Sequence, residues 1–257
     1  MSALIEALTE VVRLTGEVAL AQFGKHPPME LKADGTPVTA ADRAAETRAR
    51  EWIEQHFPDD GILGEEFGES RPGALRRWFI DPIDGTKTYI RGVPLWGTQI
   101  ALVEGRRPLA SAIFVPALDE LIVAEVGQGC WYQGARCTVS PVDRIADATL
   151  LTTDERFTNA RELRSSYEQL AARCGFVRSW GDCYGYLLVA TGRADIMIDP
   201  VLSPWDAAPL QPIVVEAGGV LTDWQGTDTP WGGNAVATNR GIADAARRLL
   251  SGSGVSS

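Results

Sequence analysis

One ten-residue segment, residues 78–87, most restricts how this chain can fold and act. It reads Trp-Phe-Ile-Asp-Pro-Ile-Asp-Gly-Thr-Lys, so an apolar run ends in two carboxylates, Asp81 and Asp84. Carboxylates at the end of a buried strand suit a hard cation such as Mg²⁺, which takes oxygen ligands and shares its site with phosphate. Gly85 and Thr86 then open a turn whose backbone N–H groups can hold an anion. The segment therefore predicts metal-assisted chemistry on a phosphate.

The composition is that of a globular enzyme and disfavours several other classes. The 257 residues are 45% hydrophobic and 23% charged, which allows one big domain or two closely packed halves. A formal net charge of -10 argues against nucleic acid or an anionic membrane as the main partner. A small phosphorylated substrate is compatible with this charge, because a bound metal ion can reverse the local field.

The cysteines and histidines indicate which cellular compartment and which type of metal ion to expect. The four cysteines have no Cys-x-x-Cys spacing and do not resemble a disulfide framework, so we expect a reducing cytoplasm. Two histidines are too few for a histidine-rich zinc site. No apolar run approaches the roughly 18 residues that span a bilayer, so we expect no membrane partner. Apolar residues within 4–19 share one helical face, which predicts a mature amphipathic helix and not a signal peptide.

The first half of the chain is predicted to be two helices followed by β-rich sequence. The first helix is expected to end near Phe23, and the second to run from a Thr39 N-cap to His56. The strands that follow are expected at residues 61–63, 77–81, 97–103, 109–115 and 120–126. Residues 129–140 are expected to form a further short strand or a loop.

The sequence pattern changes near residue 141, and from there it predicts a second half in which strands and helices alternate. The expected strands are 149–153, 176–179, 194–198 and 220–222, and the expected helices are 160–173, 183–191, 204–217 and 240–251. We therefore expect an N-terminal α+β half, residues 1–141, with most of the metal ligands. The C-terminal half, residues 142–257, should supply Asp206 and the residues that choose the substrate.

Two further acidic groups are candidate metal ligands, judged from the residues that surround each of them. Gly64-Glu65-Glu66 follows a short apolar strand, where one glutamate can reach a metal ion; the alternative is a solvated acidic loop. Asp206 follows Ser203-Pro204 in the first turn of a predicted helix, where a carboxylate favours the helix dipole. Helix capping alone would explain Asp206, so its assignment to a metal site depends on the other carboxylates.

Taken together, these motifs resemble those of the inositol monophosphatase family of metal-dependent, lithium-sensitive phosphatases. The resemblance covers nearly the whole chain. The matching motifs are Gly64-Glu65-Glu66, Asp81-Pro82-Ile83-Asp84-Gly85-Thr86, Gly92-Val93-Pro94, Val189-Ala190-Thr191-Gly192-Arg193-Ala194-Asp195, Trp205-Asp206 and Glu216-Ala217-Gly218-Gly219. The resemblance implies an α+β fold layered as an αβαβα sandwich, a homodimer, and in-line attack by metal-bound hydroxide without a phosphoenzyme.

The resemblance also implies a set of metal ligands. Glu65, Asp81 and the carbonyl of Ile83 would hold a first Mg²⁺, so that Glu65 also serves catalysis. Asp81, Asp84 and Asp206 would hold a second. A third ion, or Mn²⁺ in place of Mg²⁺, is compatible with the same residues. A pair of ions can clamp the nucleophile and the leaving group together.

Further residues are implied in catalysis and substrate binding. Gly85 and Thr86 would contact the phosphate through backbone N–H groups and a hydroxyl. Asp42 and Thr86 would together help to deprotonate the attacking water. Lys32 stands where the family keeps a lysine near the metal-site loop, and we expect it to bind the substrate or its phosphate. Asp199 takes the place of a family carboxylate that bonds substrate hydroxyls.

Within the family, the chain looks closest to the bacterial histidinol-phosphate phosphatases. The residues that carry this resemblance are 64–68, 87–96 and 180–184. Inositol phosphatases usually have small residues where Gly181-Asp182 stands, and a carboxylate at Asp182 or Asp199 could pair with the ammonium of histidinol phosphate. The alternative is that Asp182 only caps the helix that follows it.

Three functions therefore compete at this point. The first is hydrolysis of histidinol phosphate in histidine biosynthesis, and the second is the same chemistry on inositol 1-phosphate or another sugar phosphate. The third is a non-catalytic phosphate sensor or an RNA-associated regulatory partner. Loss of a metal ligand would favour a sensor, but all the expected carboxylates are present. A basic patch would favour RNA, but the chain is acidic.

Overall fold

The secondary-structure elements stack in five layers: helix, sheet, helix, sheet, helix. The structure is a computed structural model that describes residues 2–25, 29–32, 35 and 37–251. The helices are α1 (Ala3–Leu20), α2 (Ala40–His56), α3 (Thr86–Tyr89), α4 (Arg164–Ala171), α5 (Asp182–Ala190), α6 (Pro204–Glu216) and α7 (Ala243–Leu250). The strands are β1 (Met29–Leu31), β2 (Pro37–Thr39), β3 (Gly61–Gly64), β4 (Gly68–Ser70), β5 (Arg76–Asp84), β6 (Gly97–Glu104), β7 (Arg107–Val115), β8 (Glu120–Glu125), β9 (Gly129–Tyr132), β10 (Ala135–Arg136), β11 (Thr149–Thr152), β12 (Phe176–Arg178), β13 (Ile196–Asp199), β14 (Val220–Thr222) and β15 (Ala235–Thr238). The predicted αβαβα sandwich is confirmed.

The larger sheet has eight strands in the order β10-β9-β8-β7-β6-β5-β3-β4. Neighbouring strands are antiparallel except β3 and β5, which run parallel. Helices α1 and α2 cover one face, where Leu8 and Val12 pack with Trp78 and Ile100. The apolar residues of α1 recur at helical spacing, so a single stripe of this helix is buried against the sheet.

Helices α5 and α6 form the middle layer, and α6 contacts strands of both sheets. Because it is covered on both sides, α6 is apolar around most of its circumference, as expected of a buried helix. It starts with Pro204 at its first position and runs without interruption through Pro209 and Pro212. The Ser111 hydroxyl of β7 donates to the Pro209 carbonyl at 2.6 Å, which ties α6 to the larger sheet.

The smaller sheet has five strands in the order β12-β11-β13-β15-β14. Strand β11 runs parallel to β12 and β13, whereas β15 is antiparallel to both of its neighbours. Helices α4 and α7 pack against each other and cover its outer face around Tyr167, Trp224 and Ile242. Among the described residues, no helix combines the length and the apolar character needed to cross a lipid bilayer.

Most predicted elements lie within a few residues of the observed ones, and the differences have local causes. The predicted helix 160–173 is a 3₁₀ turn, Arg161–Leu163, followed by the shorter α4. Strand β15 was not predicted because two of its four residues are alanine, which is depleted in strands, and its sequence shows no alternation. The predicted boundary near residue 141 falls between the two sheets, but α5 and α6 contact both. The division into two halves therefore stays a prediction.

Burial of the α1 stripe should account for a large share of the stability of the N-terminal layer. Leu8 is 0% exposed, whereas Leu20 in the same helix is 37% exposed. Leu8→Ala should lower the free energy of unfolding by about 2–5 kcal/mol, because it leaves a cavity in a packed core. Leu20→Ala should change it by less than about 0.5 kcal/mol. Urea denaturation measures both, and equal losses would contradict this packing.

Candidate active site

Three carboxylates meet where β5 ends against the start of α6. One oxygen from each of Asp81, Asp84 and Asp206 lies within 4.8 Å of the others. Residues three apart in a regular strand face opposite sides of the sheet. The pairing of β5 with β6 shifts register between Asp81 and Asp84. Asp84 follows Asp81 by three residues on β5, but their partners on β6 are only two residues apart. This bulge re-aims the end of the strand, so that both carboxylates reach one site.

Hydrogen bonds fix the two carboxylates of β5. The Ile83 N–H donates to Asp81 Oδ1 at 2.9 Å, and the Gln99 amide donates to Asp84 Oδ2 at 2.8 Å. The Cys183 N–H, in the first turn of α5, donates to the same Asp84 oxygen. Sequence reasoning missed Gln99, although its signal was present: a long polar side chain directly precedes the apolar run of residues 100–103 in strand β6.

Asp206 is held by the helix start that the sequence predicted. The Ser203 N–H donates to Asp206 Oδ2 at 2.8 Å, as one half of a capping box. This bond engages one carboxylate oxygen and leaves Oδ1 available for another ligand. Helix capping and a place in the acidic cluster are therefore compatible roles for one side chain.

Burial and mutual repulsion disfavour the charged forms of these carboxylates. Burial, and then the charges of neighbouring acids, raise the pKa of Asp81 and Asp84 well above the ordinary range, and burial raises the pKa of Asp206 to about 7. A divalent cation would reverse this penalty, because opposite charge favours the ionised form. Since all the donors are oxygens, the residues fit Mg²⁺ or Mn²⁺ better than a softer metal.

Glu65 lies beside the cluster and is paired with a lysine. The Lys32 ammonium donates to Glu65 Oε1 and to Glu66 Oε1, at 2.7 Å in each case. Burial disfavours the ammonium charge, but the two carboxylates outweigh this effect and raise the pKa of Lys32. Burial raises the pKa of Glu66 to about 7 despite Lys32. The structure thus places Lys32 on the two glutamates, and the predicted role of Lys32 at the substrate stays a prediction.

A buried glutamate that sequence reasoning missed supports the loop at Glu65. Glu46 is 0% exposed, and its carboxylate accepts the N–H groups of Glu66 at 2.6 Å and Phe67 at 3.2 Å. Gly64 is required beside it, because an added Cβ would lie 2.0 Å from Glu46 Oε1. The available signal was a charged residue on the inward face of α2, among alanines at helical spacing.

Asp42 and Thr86 come together across the site. Asp42 Oδ2 accepts the Thr39 N–H at 2.8 Å and the Thr39 hydroxyl at 2.7 Å, which completes a capping box at the start of α2. The Thr86 hydroxyl lies 3.4 Å from Asp42 Oδ1 and 3.1 Å from the Ile83 carbonyl oxygen, and either oxygen can accept its hydrogen bond. Burial raises the pKa of Asp42. This arrangement could pass a proton between the hydroxyl and the carboxylate.

The turn between β5 and α3 brings backbone N–H groups to the same place. Gly85 adopts φ +89°, and an added Cβ there would approach Asp182 Oδ2 to 2.9 Å, so both conformation and space favour glycine. N–H groups at the start of a helix lack intrahelical acceptors. Within the described part of the chain, the N–H groups of Gly85 and Thr86 have no hydrogen-bond acceptor, which leaves them available to an anion.

A cavity of about 530 Å³ opens over the cluster, and a second of about 230 Å³ adjoins it. Asp182, at the start of α5, lines both cavities. Its carboxylate accepts the Thr88 hydroxyl at 3.4 Å and makes no helix-capping bond, so the capping alternative is wrong. Burial, and then the charge of Asp199, raise the pKa of Asp182 to about 7.

Asp199 lines the smaller cavity at the end of β13. Its carboxylate accepts the Tyr186 hydroxyl at 3.0 Å and the Thr153 N–H at 3.4 Å. Burial raises its pKa to about 6, and these two donors oppose the shift. The structure therefore brings the predicted site residues to one connected region, in which Lys32 bonds to Glu65 and Glu66.

Comparison with known proteins identifies relatives over nearly the whole chain. Residues 1–253 match the model of the inositol monophosphatase family. A histidinol-phosphatase of Chlorobaculum parvum is 44% identical over 86% of each chain, and one of Mycobacterium tuberculosis is 42% identical over 82% of this chain and 83% of the relative. The structure of an inositol monophosphatase from Zymomonas mobilis superposes with a TM-score of 0.88, at 33% identity, and covers 98% of this chain and 100% of that one.

The crowding of carboxylates predicts opposite effects of one substitution in the presence and absence of metal. In metal-stripped protein at pH 8, Asp84→Asn should raise the melting temperature, because it removes one of the repelling charges and keeps the hydrogen-bond acceptor. Wild type should gain about 2.7 kcal/mol from Mg²⁺ at a hundred times its Kd. Asp84→Asn should gain much less.

Thermal denaturation with and without chelator measures these shifts. Asp244→Asn, at an exposed first-turn carboxylate in α7, serves as the matched control: it should not raise the melting temperature and should leave the gain from Mg²⁺ unchanged. A metal-stripped Asp84→Asn protein that is less stable than wild type, and that still gains fully from Mg²⁺, would contradict the description of the cluster.

Proposed function

The chain belongs to the inositol monophosphatase family, and we propose that it hydrolyses histidinol phosphate to histidinol and inorganic phosphate with the help of Mg²⁺. The family predicted from the motifs is confirmed by the match over residues 1–253. The observation that carries the metal-dependent part is the cluster of Asp81, Asp84 and Asp206. Two relatives at 42–44% identity that are named histidinol-phosphatases support the substrate.

The residues of the cluster fit the chemistry that the family requires. When bound, divalent cations lower the pKa of a coordinated water and neutralise charge on the phosphoryl oxygens. Asp81, Asp84 and Asp206 would hold them, with Glu65 and the Ile83 carbonyl as further ligands. Lys32 and Glu65 form an ion pair in the structure. To bind a metal ion, Glu65 would therefore have to give up this ion pair or share its carboxylate between Lys32 and the ion.

The pair of Asp42 and Thr86 would act on the proton of the attacking water. With Thr39 engaging Asp42 Oδ2, Oδ1 remains to accept the Thr86 hydroxyl proton. The Thr86 oxygen then has lone pairs to accept a proton from water. The N–H groups of Gly85 and Thr86 would bind the phosphoryl oxygens on the other side, where a helix start favours negative charge.

Acidic residues around the cavities support a cationic substrate. Histidinol phosphate carries an ammonium and an imidazole beside its phosphate, whereas inositol phosphate offers hydroxyls. Asp182 and Asp199 line the cavity next to Asp84 and would pair with the ammonium. A hydrogen bond to a charged group contributes roughly 1.5–3 kcal/mol. The larger cavity, about 530 Å³, has the size of an ordinary small-molecule site.

Inositol 1-phosphate is the second candidate, supported by the fold shared with the Zymomonas mobilis enzyme. A phosphate-release assay with histidinol phosphate, inositol 1-phosphate, fructose 1,6-bisphosphate and adenosine 3′,5′-bisphosphate separates these functions. We expect the highest kcat/KM for histidinol phosphate, with activity lost in chelator. Preference for inositol 1-phosphate would overturn the proposed substrate, and activity in fully metal-stripped protein would overturn the proposed chemistry.

The cysteines and the net charge bear on the location and the partners of the protein. All four cysteines are free thiols, which supports the expected cytoplasmic location. A small phosphorylated substrate is the expected partner, and the net charge of -10 disfavours RNA. A phosphate sensor is disfavoured because every carboxylate proposed as a ligand lies at the site. The homodimer expected from the family stays a prediction.

Removing the Thr86 hydroxyl should slow turnover more than it weakens binding. Thr86→Ala should lower kcat by about 10²–10⁴-fold, because the hydroxyl would act on the proton in the transition state. Thr86→Ser keeps the hydroxyl and should retain most of kcat. Steady-state kinetics with a melting curve for each variant distinguishes this role from a structural one. Normal turnover in Thr86→Ala, with only a lowered melting temperature, would contradict it.

Substrate choice should depend on the charge of Asp182. Asp182→Asn should reduce kcat/KM for histidinol phosphate by about tenfold or more, equivalent to about 1.4 kcal/mol. It should leave neutral phosphate esters nearly unchanged. Asp154→Asn is the matched control, because Asp154 lines the same cavities but already accepts hydrogen bonds from Arg156 and Thr158. The same loss for both kinds of substrate in Asp182→Asn would rule out this role.

A further inference from the structure

Two cysteines face each other across a hairpin that lies apart from the active site. Strands β9 and β10 pair Tyr132 with Ala135 and Trp131 with Arg136, which puts Cys130 opposite Cys137 one step further along. The Cys137 N–H donates to the Cys130 carbonyl at 3.1 Å and continues the ladder. Opposed residues in an antiparallel pair have Cα atoms about 4.5–5.5 Å apart, within the range that a disulfide spans.

The two thiols differ in access and in reactivity. Cys130 is 1% exposed and packs in the core between the sheets, whereas Cys137 is half-buried at its edge. Interaction with the Cys130 thiol, helped by the positive charge of Arg193, lowers the pKa of Cys137. Burial raises the pKa of Cys174 to about 12 and also raises the pKa of Cys183 well above the ordinary range. Cys137 is therefore the cysteine best suited to react as a thiolate.

We infer that Cys130 and Cys137 are a redox modification site, which forms a reversible intramolecular disulfide with a disulfide oxidant of the glutathione type. The Cys137 thiolate attacks one sulfur of the oxidant and releases one glutathione thiolate, leaving a mixed disulfide. Cys130 then loses its proton and attacks the Cys137 sulfur, which releases the second glutathione. Two cysteine thiols are oxidised, one glutathione disulfide is reduced to two thiols, and two electrons are transferred.

The geometry favours a bond that is easily reduced again. The backbone bond between Cys137 and Cys130 marks a hydrogen-bonded pair, in which side chains lie further apart than in the alternative pair. Bridging such a pair draws the Cβ atoms closer than they normally lie, and strain of this kind makes a disulfide more reducible. A labile bond is compatible with a reducing compartment, where disulfides are usually transient.

The hairpin is anchored to the far end of α6. Glu216 accepts the N–H groups of Gly127 and Gly129 at 2.8 Å each, and the Ala217 carbonyl accepts the Val139 N–H at 3.0 Å. These bonds hold the strand segments on both sides of the cysteine pair. Neither cysteine lines the cavities of the active site, so the pair can be oxidised without contact with the carboxylate cluster.

Peptide mapping tests this inference directly, because Arg136 separates the two cysteines. Trypsin places Cys130 in the peptide of residues 107–136 and Cys137 in that of residues 137–144. The full-length protein is brought to equilibrium in glutathione buffers of decreasing thiol-to-disulfide ratio, starting both from reduced and from diamide-oxidised protein. After acid quenching and alkylation, we expect the two peptides to be joined in oxidising buffer and separated again by excess glutathione.

Single variants sharpen the outcome. Cys130→Ser should carry one glutathione on Cys137 and no joined peptides, whereas Cys174→Ser should form the joined peptides as wild type does. Thiol titration of unfolded protein should fall from four to two thiols in wild type. Three results for the wild-type protein would overturn the proposal. The two peptides could stay separate from both starting states, glutathione could remain on Cys137, or Cys174 could be found in the disulfide instead.

Discussion

The repulsion among carboxylates gathered at the end of β5 is the interaction on which the rest of the site depends. Asp81, Asp84 and Asp206 approach within 4.8 Å in a buried setting, where the charged forms are disfavoured. The fold holds them there with a bulge, backbone donors and the Gln99 amide. Such an arrangement costs stability unless a cation is bound, so the same feature links metal binding, folding stability and catalysis.

Helix starts supply much of the geometry. Asp42 and Asp206 each stand at the third position of a capping box, where one carboxylate oxygen is bound by the N-cap residue. The other oxygen remains for chemistry: Asp42 Oδ1 faces the Thr86 hydroxyl, and Asp206 joins the acidic cluster. Because capping fixes the side chain before any ligand binds, the site is positioned by the secondary structure itself.

The sequence predicted the parts of the site that have a local signature. Asp81, Asp84 and Asp206 stand beside a strand end or a helix start, and these elements follow from hydrophobic pattern and capping residues. The roles of Glu46 and Gln99 were not predicted because their hydrogen-bond partners are not neighbours in the sequence. Only tertiary packing shows what these two side chains bind. The ion pair of Lys32 with Glu65 and Glu66 likewise joins residues more than 30 positions apart in the chain, so no local pattern reveals it.

Anomalous diffraction from crystals grown with Mn²⁺ tests most directly whether the carboxylate cluster binds metal. We expect peaks at about 2.0–2.2 Å from oxygens of Asp81, Asp84 and Asp206, at the distances of small hard cations. Glu65 should place an oxygen on one of these ions, whether it shares or gives up its bond to Lys32. A map without peaks at the cluster at saturating Mn²⁺ would contradict metal binding there.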